Sequence, residues 1–136
     1  MASLYKHSSV TDLGVIMNNV AVPSGGGTAT STTINNTTNR DVYADLIVSV
    51  SAGSTPTSNP FLEIRLLYSE DNVSFETGAV GEKLDLIPIT AGTTLNFVRG
   101  IHVDPYYIRA LVVNLSNVSV NVTIKAKLRS MQFVAV

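Results

Sequence analysis

Cysteine is absent from this 136-residue chain. That removes disulfides, thiolate nucleophiles and zinc–sulfur sites together, and makes folding independent of redox compartment. Tryptophan, a large ring suited to stacking on sugars, is absent too. Charged residues make up 14%, well under the usual quarter, so solubility leans on Ser, Thr and Asn. The net charge of −1 gives no electrostatic case for nucleic acid or an anionic membrane as partner. No apolar run approaches the roughly 18 residues of a membrane-spanning helix. The opening MASLYKHSSVTDLG lacks the continuous apolar centre of a signal peptide. No internal repeat is visible.

What is present is alternation. In Val118–Leu128, residues Val118, Val120, Val122, Ile124, Ala126 and Leu128 fall on one side of an extended chain, opposite Ser119, Asn121, Thr123, Lys125 and Lys127. Side chains alternate faces along a strand, so this is a strand with one dry and one wet side. Similar patterns begin at Asp41, at Phe61 (Leu62, Ile64, Leu66 and Tyr68 opposed to Glu63 and Arg65), at Leu84, Leu95 and Tyr106. Pro88 marks its strand as an edge or a bulge. Past Leu128 the phase slips to Met131 and Phe133, which reads as a bulge or a crossing between sheets. Seven to eight strands joined by short turns, with no helix, predict an all-β, single antiparallel β-sandwich of jelly-roll type.

Residues 1–40 read differently. Val22–Arg40 is rich in Gly, Ser, Thr and Asn and predicts a flexible or extended segment with one weak strand near Thr28–Ile34. Gly25-Gly26-Gly27 reads as a hinge, lacking the Lys-Ser/Thr and helix of a phosphate cradle. The expected organisation is therefore an extended N-terminal arm, 1–40, and a sandwich domain, 41–136.

Chemistry is constrained mostly by exclusion. His7 and His102 lie far apart without acidic neighbours at ligand spacing, so no transition-metal site is expected. No Gly-x-Ser-x-Gly elbow occurs. The acids Asp41, Asp45, Glu63, Asp71, Glu82, Asp85 and Asp104 fall mostly at strand ends and turns, where they belong structurally. No catalytic residues, cofactor or metal are assigned, and a non-enzyme is expected. The turn around Glu70, Asp71 and Asn72, with Glu76 close by, offers carboxylates in a pattern that fits calcium or a glycan, although not at EF-hand spacing. Tyr43, Phe61, Tyr68, Phe75, Tyr106 and Tyr107 are the candidate rings for a sugar platform. Adjacent Tyr106 and Tyr107 must point to opposite faces, so one is exposed or at an interface. Lys125, Lys127 and Arg129 line one face of the last strand as an ordinary solvated edge. Six Asn-x-Ser/Thr sequons begin at Asn35, Asn36, Asn72, Asn114, Asn117 and Asn121 and read as chance in an Asn/Thr-rich chain.

The segment FLEIRLLYSEDNVSFETG, Phe61–Gly78, resembles a strand–turn–strand of small tailed-bacteriophage virion proteins, a hydrophobic strand ending in a YS-x-D turn. RGIHVDPYYIR, Arg99–Arg109, with LVVNLS, Leu111–Ser116, looks like the closing half of such a protein. The resemblance implies a capsid decoration (cement) protein located on the virion surface after synthesis in the host cytoplasm. Its expected partners are the major capsid protein or other virion subunits and further copies of itself, a trimer being favoured. The docking residues would come from the arm, namely Leu4, Tyr5, Leu13, Val15 and Ile16, together with Tyr107. A tail or head–tail connector component would look much the same. The YS-x-D turn is also similar to one in discoidin-like and carbohydrate-binding β-sandwiches, which makes a glycan-binding module the alternative.

Overall fold

A computed structural model describes residues 3–37, 43–92, 95–102 and 107–135, with side chains over 11–37, 44–92 and 107–128. Among these residues nine strands are present: β1 (Ser3–Val22), β2 (Gly27–Thr30), β3 (Ile34–Asn35), β4 (Tyr43–Ala52), β5 (Phe61–Ser69), β6 (Glu82–Pro88), β7 (Leu95–His102), β8 (Tyr107–Asn114) and β9 (Val120–Ala135). One sheet runs β1-β9-β4-β7 and the other β2-β8-β5-β6, with the short β3 also on β8. Every described strand pair is antiparallel. A four-stranded and a five-stranded layer in these orders form a jelly-roll sandwich.

The core follows from the period-two rows. Across β4 and β9, Ala44 pairs with Leu128, Leu46 with Ala126, Val48 with Ile124 and Val50 with Val122, and all eight are buried. Leu62, Ile64, Leu66, Ile87, Ile108 and Val112 supply the opposing layer. Each such side chain contributes roughly 1.5–3 kcal/mol on burial. Pro88 lies in β6, the edge strand of its sheet, where a missing N–H costs no ladder bond.

Three expectations change. The boundary at residue 40 does not divide the packing, because Ile16, Met17, Val22 and Ile34 lie in the same core cluster as β4 and β9. Of the two forms expected for Val22–Thr37, flexible or extended, the structure has the extended one, held by β2, β3 and backbone hydrogen bonds. Gly25 and Gly26 take φ of 70° and 89°, and their N–H groups donate to the carbonyls of Ser116 and Asn114 as the chain crosses from one sheet to the other. Gly25-Gly26-Gly27 is thus a fixed corner and not a hinge. Finally, β9 continues unbroken past Leu128, still paired with β1, so the chain does not cross sheets there. The register shift that accompanies this stretch lies in β1, between His7 and Ser9.

Asn114 closes the far corner. It is fully buried, its Nδ2 donates to the carbonyls of Val22 and Val118, and its Oδ1 accepts from the N–H and hydroxyl of Ser116. A glycan cannot attach to this side chain, nor readily to Asn36, which is 4% exposed.

Candidate functional site

The turn after β5 builds itself from short-range hydrogen bonds. The Ser69 hydroxyl donates to Asp71 Oδ1 and accepts from the N–H groups of Asp71 and Asn72. Asp71 Oδ1 also accepts from the N–H groups of Val73 (2.9 Å) and Ser74 (2.8 Å). Asn72 sits at φ 61°, a conformation that Asn tolerates better than most residues. The chain then returns to β5, where Glu76 N–H donates to the Tyr68 carbonyl and Tyr68 N–H donates to Glu76 Oε1. The Ser74 N–H above all, then that of Val73 and the Ser69 hydroxyl, hold the Asp71 carboxyl below its usual range. Asp71 is thus an ionised structural brace.

Residues 70–81 next fold over the outer face of the β8/β5 sheet. Leu67 and Leu111, on that face, are buried at 7% and 8% exposure. A side chain at position 81 would bring a Cβ within 2.6 Å of Leu67, so Gly81 permits the close approach. Arg65 fastens the segment by donating from Nη1 to the Gly78 carbonyl (2.5 Å) and from Nη2 to Glu63 Oε2 (2.8 Å). Glu63 also meets Lys83 at 3.4 Å. Burial alone would raise the Glu63 pKa, but the hydrogen bond and charge of Arg65, with Lys83, outweigh it and hold the carboxyl low. Arg109 crosses beneath Phe75, its guanidinium carbon 3.9 Å from the ring centroid.

Between turn and sheet lies an open depression of about 780 Å³ lined by Tyr68, Ser69, Glu70, Asp71, Ser74, Phe75 and Glu76. Two aromatic rings sit there beside three carboxylates and two serine hydroxyls. The Tyr68 hydroxyl donates to Glu82 Oε2 at 2.6 Å. Burial first, then that bond and the charges of Glu82 and Glu76, push the phenol well above its ordinary pKa.

The turn residues nominated from sequence, Glu70, Asp71 and Asn72, are all exposed, and Glu70 and Asp71 line the depression. Among the described residues no group of three or more His, Cys, Asp or Glu is placed to hold a metal ion. Among the described residues, the carboxyls with a resolved shift, Glu63 and Asp71, both move downwards.

Of the nominated interface residues with described side chains, Leu13, Val15 and Ile16 lie on β1 and Tyr107 on β8 of the other sheet. Leu4 and Tyr5 lie outside the described side chains. Ile16 is core at 5% exposure, unavailable to a partner, and Leu13 packs against that core. Val15 is 45% exposed. Tyr107 is half-buried on β8, paired with Ser69 and Asn35 near the turn. His7, His102, Tyr106 and Arg129 have side chains outside the described set. Sequence reasoning missed Arg109 and the Glu63–Arg65–Lys83 cluster. The available signal was apolar continuity: Leu66-Leu67 and Ala110-Leu111-Val112 break alternation where a sheet is covered on both faces.

No protein-family model and no curated protein sequence matches the chain. Among solved structures, it is similar to the CBM36-1 domain of a multidomain xylanase from the hindgut metagenome of Trinervitermes trinervoides. The TM-score is 0.52 at 9% identity, over 99% of this chain and 100% of that one. The likeness is one of fold.

Proposed function

We propose that this protein is a non-catalytic binding module that takes a neutral oligosaccharide in the depression beside the 69–76 turn. The observation that carries the reading is the lining itself. Phe75 and Tyr68 offer apolar rings to the C–H faces of a sugar, while Glu70, Asp71, Ser69 and Ser74 ring them with hydrogen-bonding groups. A few oriented polar groups around aromatic surface is how small-molecule sites obtain both affinity and orientation. The lining holds three carboxylates and no Lys or Arg, which disfavours acidic sugars. The fold agrees, since jelly rolls serve lectin domains, and the structural neighbour is a carbohydrate-binding module of a xylanase. Fold likeness alone does not assign function. The test is calorimetric titration with neutral xylo-, cello- and chito-oligosaccharides. Saturable heat with any of them, abolished by Phe75→Ala in a folded protein, supports the reading, and silence across the panel rejects it.

A virion structural role is the second reading, favoured by one observation. The β1–β9 ribbon stays paired out to Ser3 and Ala135, beyond the last described β4–β9 pair at Tyr43 and Arg129. Two-stranded ribbons are marginal alone and gain from a partner. A capsid subunit should self-associate or bind particles. A trimer near three times 14.5 kDa by light scattering, without glycan binding, would favour this reading over the first.

A further inference from the structure

Phe75 does not hold its own position. It lies on a return segment without regular strand structure, between β5 and β6, and what lies under its ring comes from elsewhere in the chain. The Arg109 guanidinium, on β8, stacks at 3.9 Å from the ring centroid. Arg109 is itself oriented from a third element, because its Nε donates to Thr33 Oγ1 at 2.9 Å. Thr33 precedes β3, whose Ile34 and Asn35 pair with Ile108 and Tyr107 on β8. Ser31 fixes the same stretch from the other side, its N–H donating to the Ala110 carbonyl and its hydroxyl accepting from Ala110 N–H. A relay therefore runs from a pinned backbone through Thr33 and Arg109 to a ring in the wall of the depression.

We infer that Thr33 and Arg109 are positioning residues for ligand binding, setting the Phe75 ring so that one face rests on the guanidinium and the ring is presented to a sugar. This rests on the glycan reading of the depression and deepens it. Neither Thr33 nor Arg109 lines the cavity. A guanidinium can turn about its stem, and a hydrogen bond from one of its N–H groups narrows the orientations in which it stacks. The Thr33 hydroxyl accepts that bond. A ring already held in place loses less freedom on binding, so affinity rises without a new contact to ligand. The segment read from sequence as part of an extended arm thus reaches the site through one hydrogen bond.

The experiment compares wild type, Thr33→Val, Arg109→Lys and Arg109→Met by two readouts. The first, without ligand, is the ring-current shift of the Arg109 side-chain protons by NMR, or of the protons of the side chain that replaces it. The second is affinity for the tightest neutral oligosaccharide of the panel. Thr33→Val removes a hydroxyl outside the depression, so a net hydrogen-bond contribution translates to about two- to tenfold weaker binding with a reduced ring-current shift. Arg109→Lys keeps the charge but not the planar stack or the Nε donor, and should fail to rescue. Wild-type binding with Thr33→Val affinity and ring-current shift both unchanged overturns the inference and leaves the site reading standing. No binding by wild type overturns both.

Discussion

Replacing Arg65 with methionine tests how the 70–81 segment is held. Methionine keeps much of the stem and removes the guanidinium, which donates to the Gly78 carbonyl and to Glu63. Glu63 would stay behind with a side chain only 6% exposed and Lys83, itself 70% exposed, as its remaining ionic partner. Stripping one member from a buried pair costs roughly 3–5 kcal/mol. Arg65 is 20% exposed and Lys83 still neutralises part of the charge, so about 2–3 kcal/mol is the expected loss here. For a domain of this size that lowers the melting temperature by roughly 6–12 °C. Adding Glu63→Leu removes the orphaned charge, so the double variant should be more stable than Arg65→Met alone. The assay is chemical and thermal unfolding of all four proteins. Acid titration supplies a second check. The folded pKa of Glu63 lies below its unfolded value near 4.5, so its stabilisation is present above that pH and lost as pH falls through the folded value. Arg65→Met should flatten that acid limb. Near-zero loss, or strictly additive single effects, would refute the reasoning.

Other perturbations follow from the same packing. Asn114→Ala takes the Nδ2 donor from the Val22 carbonyl and leaves the Val118 carbonyl with the Ser116 hydroxyl alone, at a cost of about 1–3 kcal/mol measurable by urea denaturation. Deleting residues 1–40 removes β1, β2 and β3 with core residues Ile16, Met17, Val22 and Ile34, so the remainder should fail to fold, as circular dichroism would show. Gly81→Ala forces a Cβ against Leu67 and should cost on the order of 1–3 kcal/mol by thermal melt.

Much of the fold was legible because alternation is a backbone property that needs no knowledge of partners. The buried rows of β4, β5, β8 and β9 sit where period two places them, and Pro88 marked an edge. β1 was opaque for a physical reason. Its pairing with β9 shifts register four times, so adjacent Ile16 and Met17 are both buried, which a regular strand covered on one face does not allow. The turn at Glu70–Asn72 announced itself through its acids, yet Asp71 proved to brace the loop with its own backbone. Phe75 and Arg109 stand 34 positions apart and meet only because strand register carries one over the other. No local pattern encodes such a contact.

Glycan binding stands or falls at the depression beside the 69–76 turn. The most direct measurement is an amide NMR titration of the whole protein with neutral oligosaccharides to millimolar concentration. Saturable shifts confined to residues 68–76 and their β8 neighbours, absent in Phe75→Ala, are expected. A spectrum that does not move, or one that moves only elsewhere, contradicts the glycan reading.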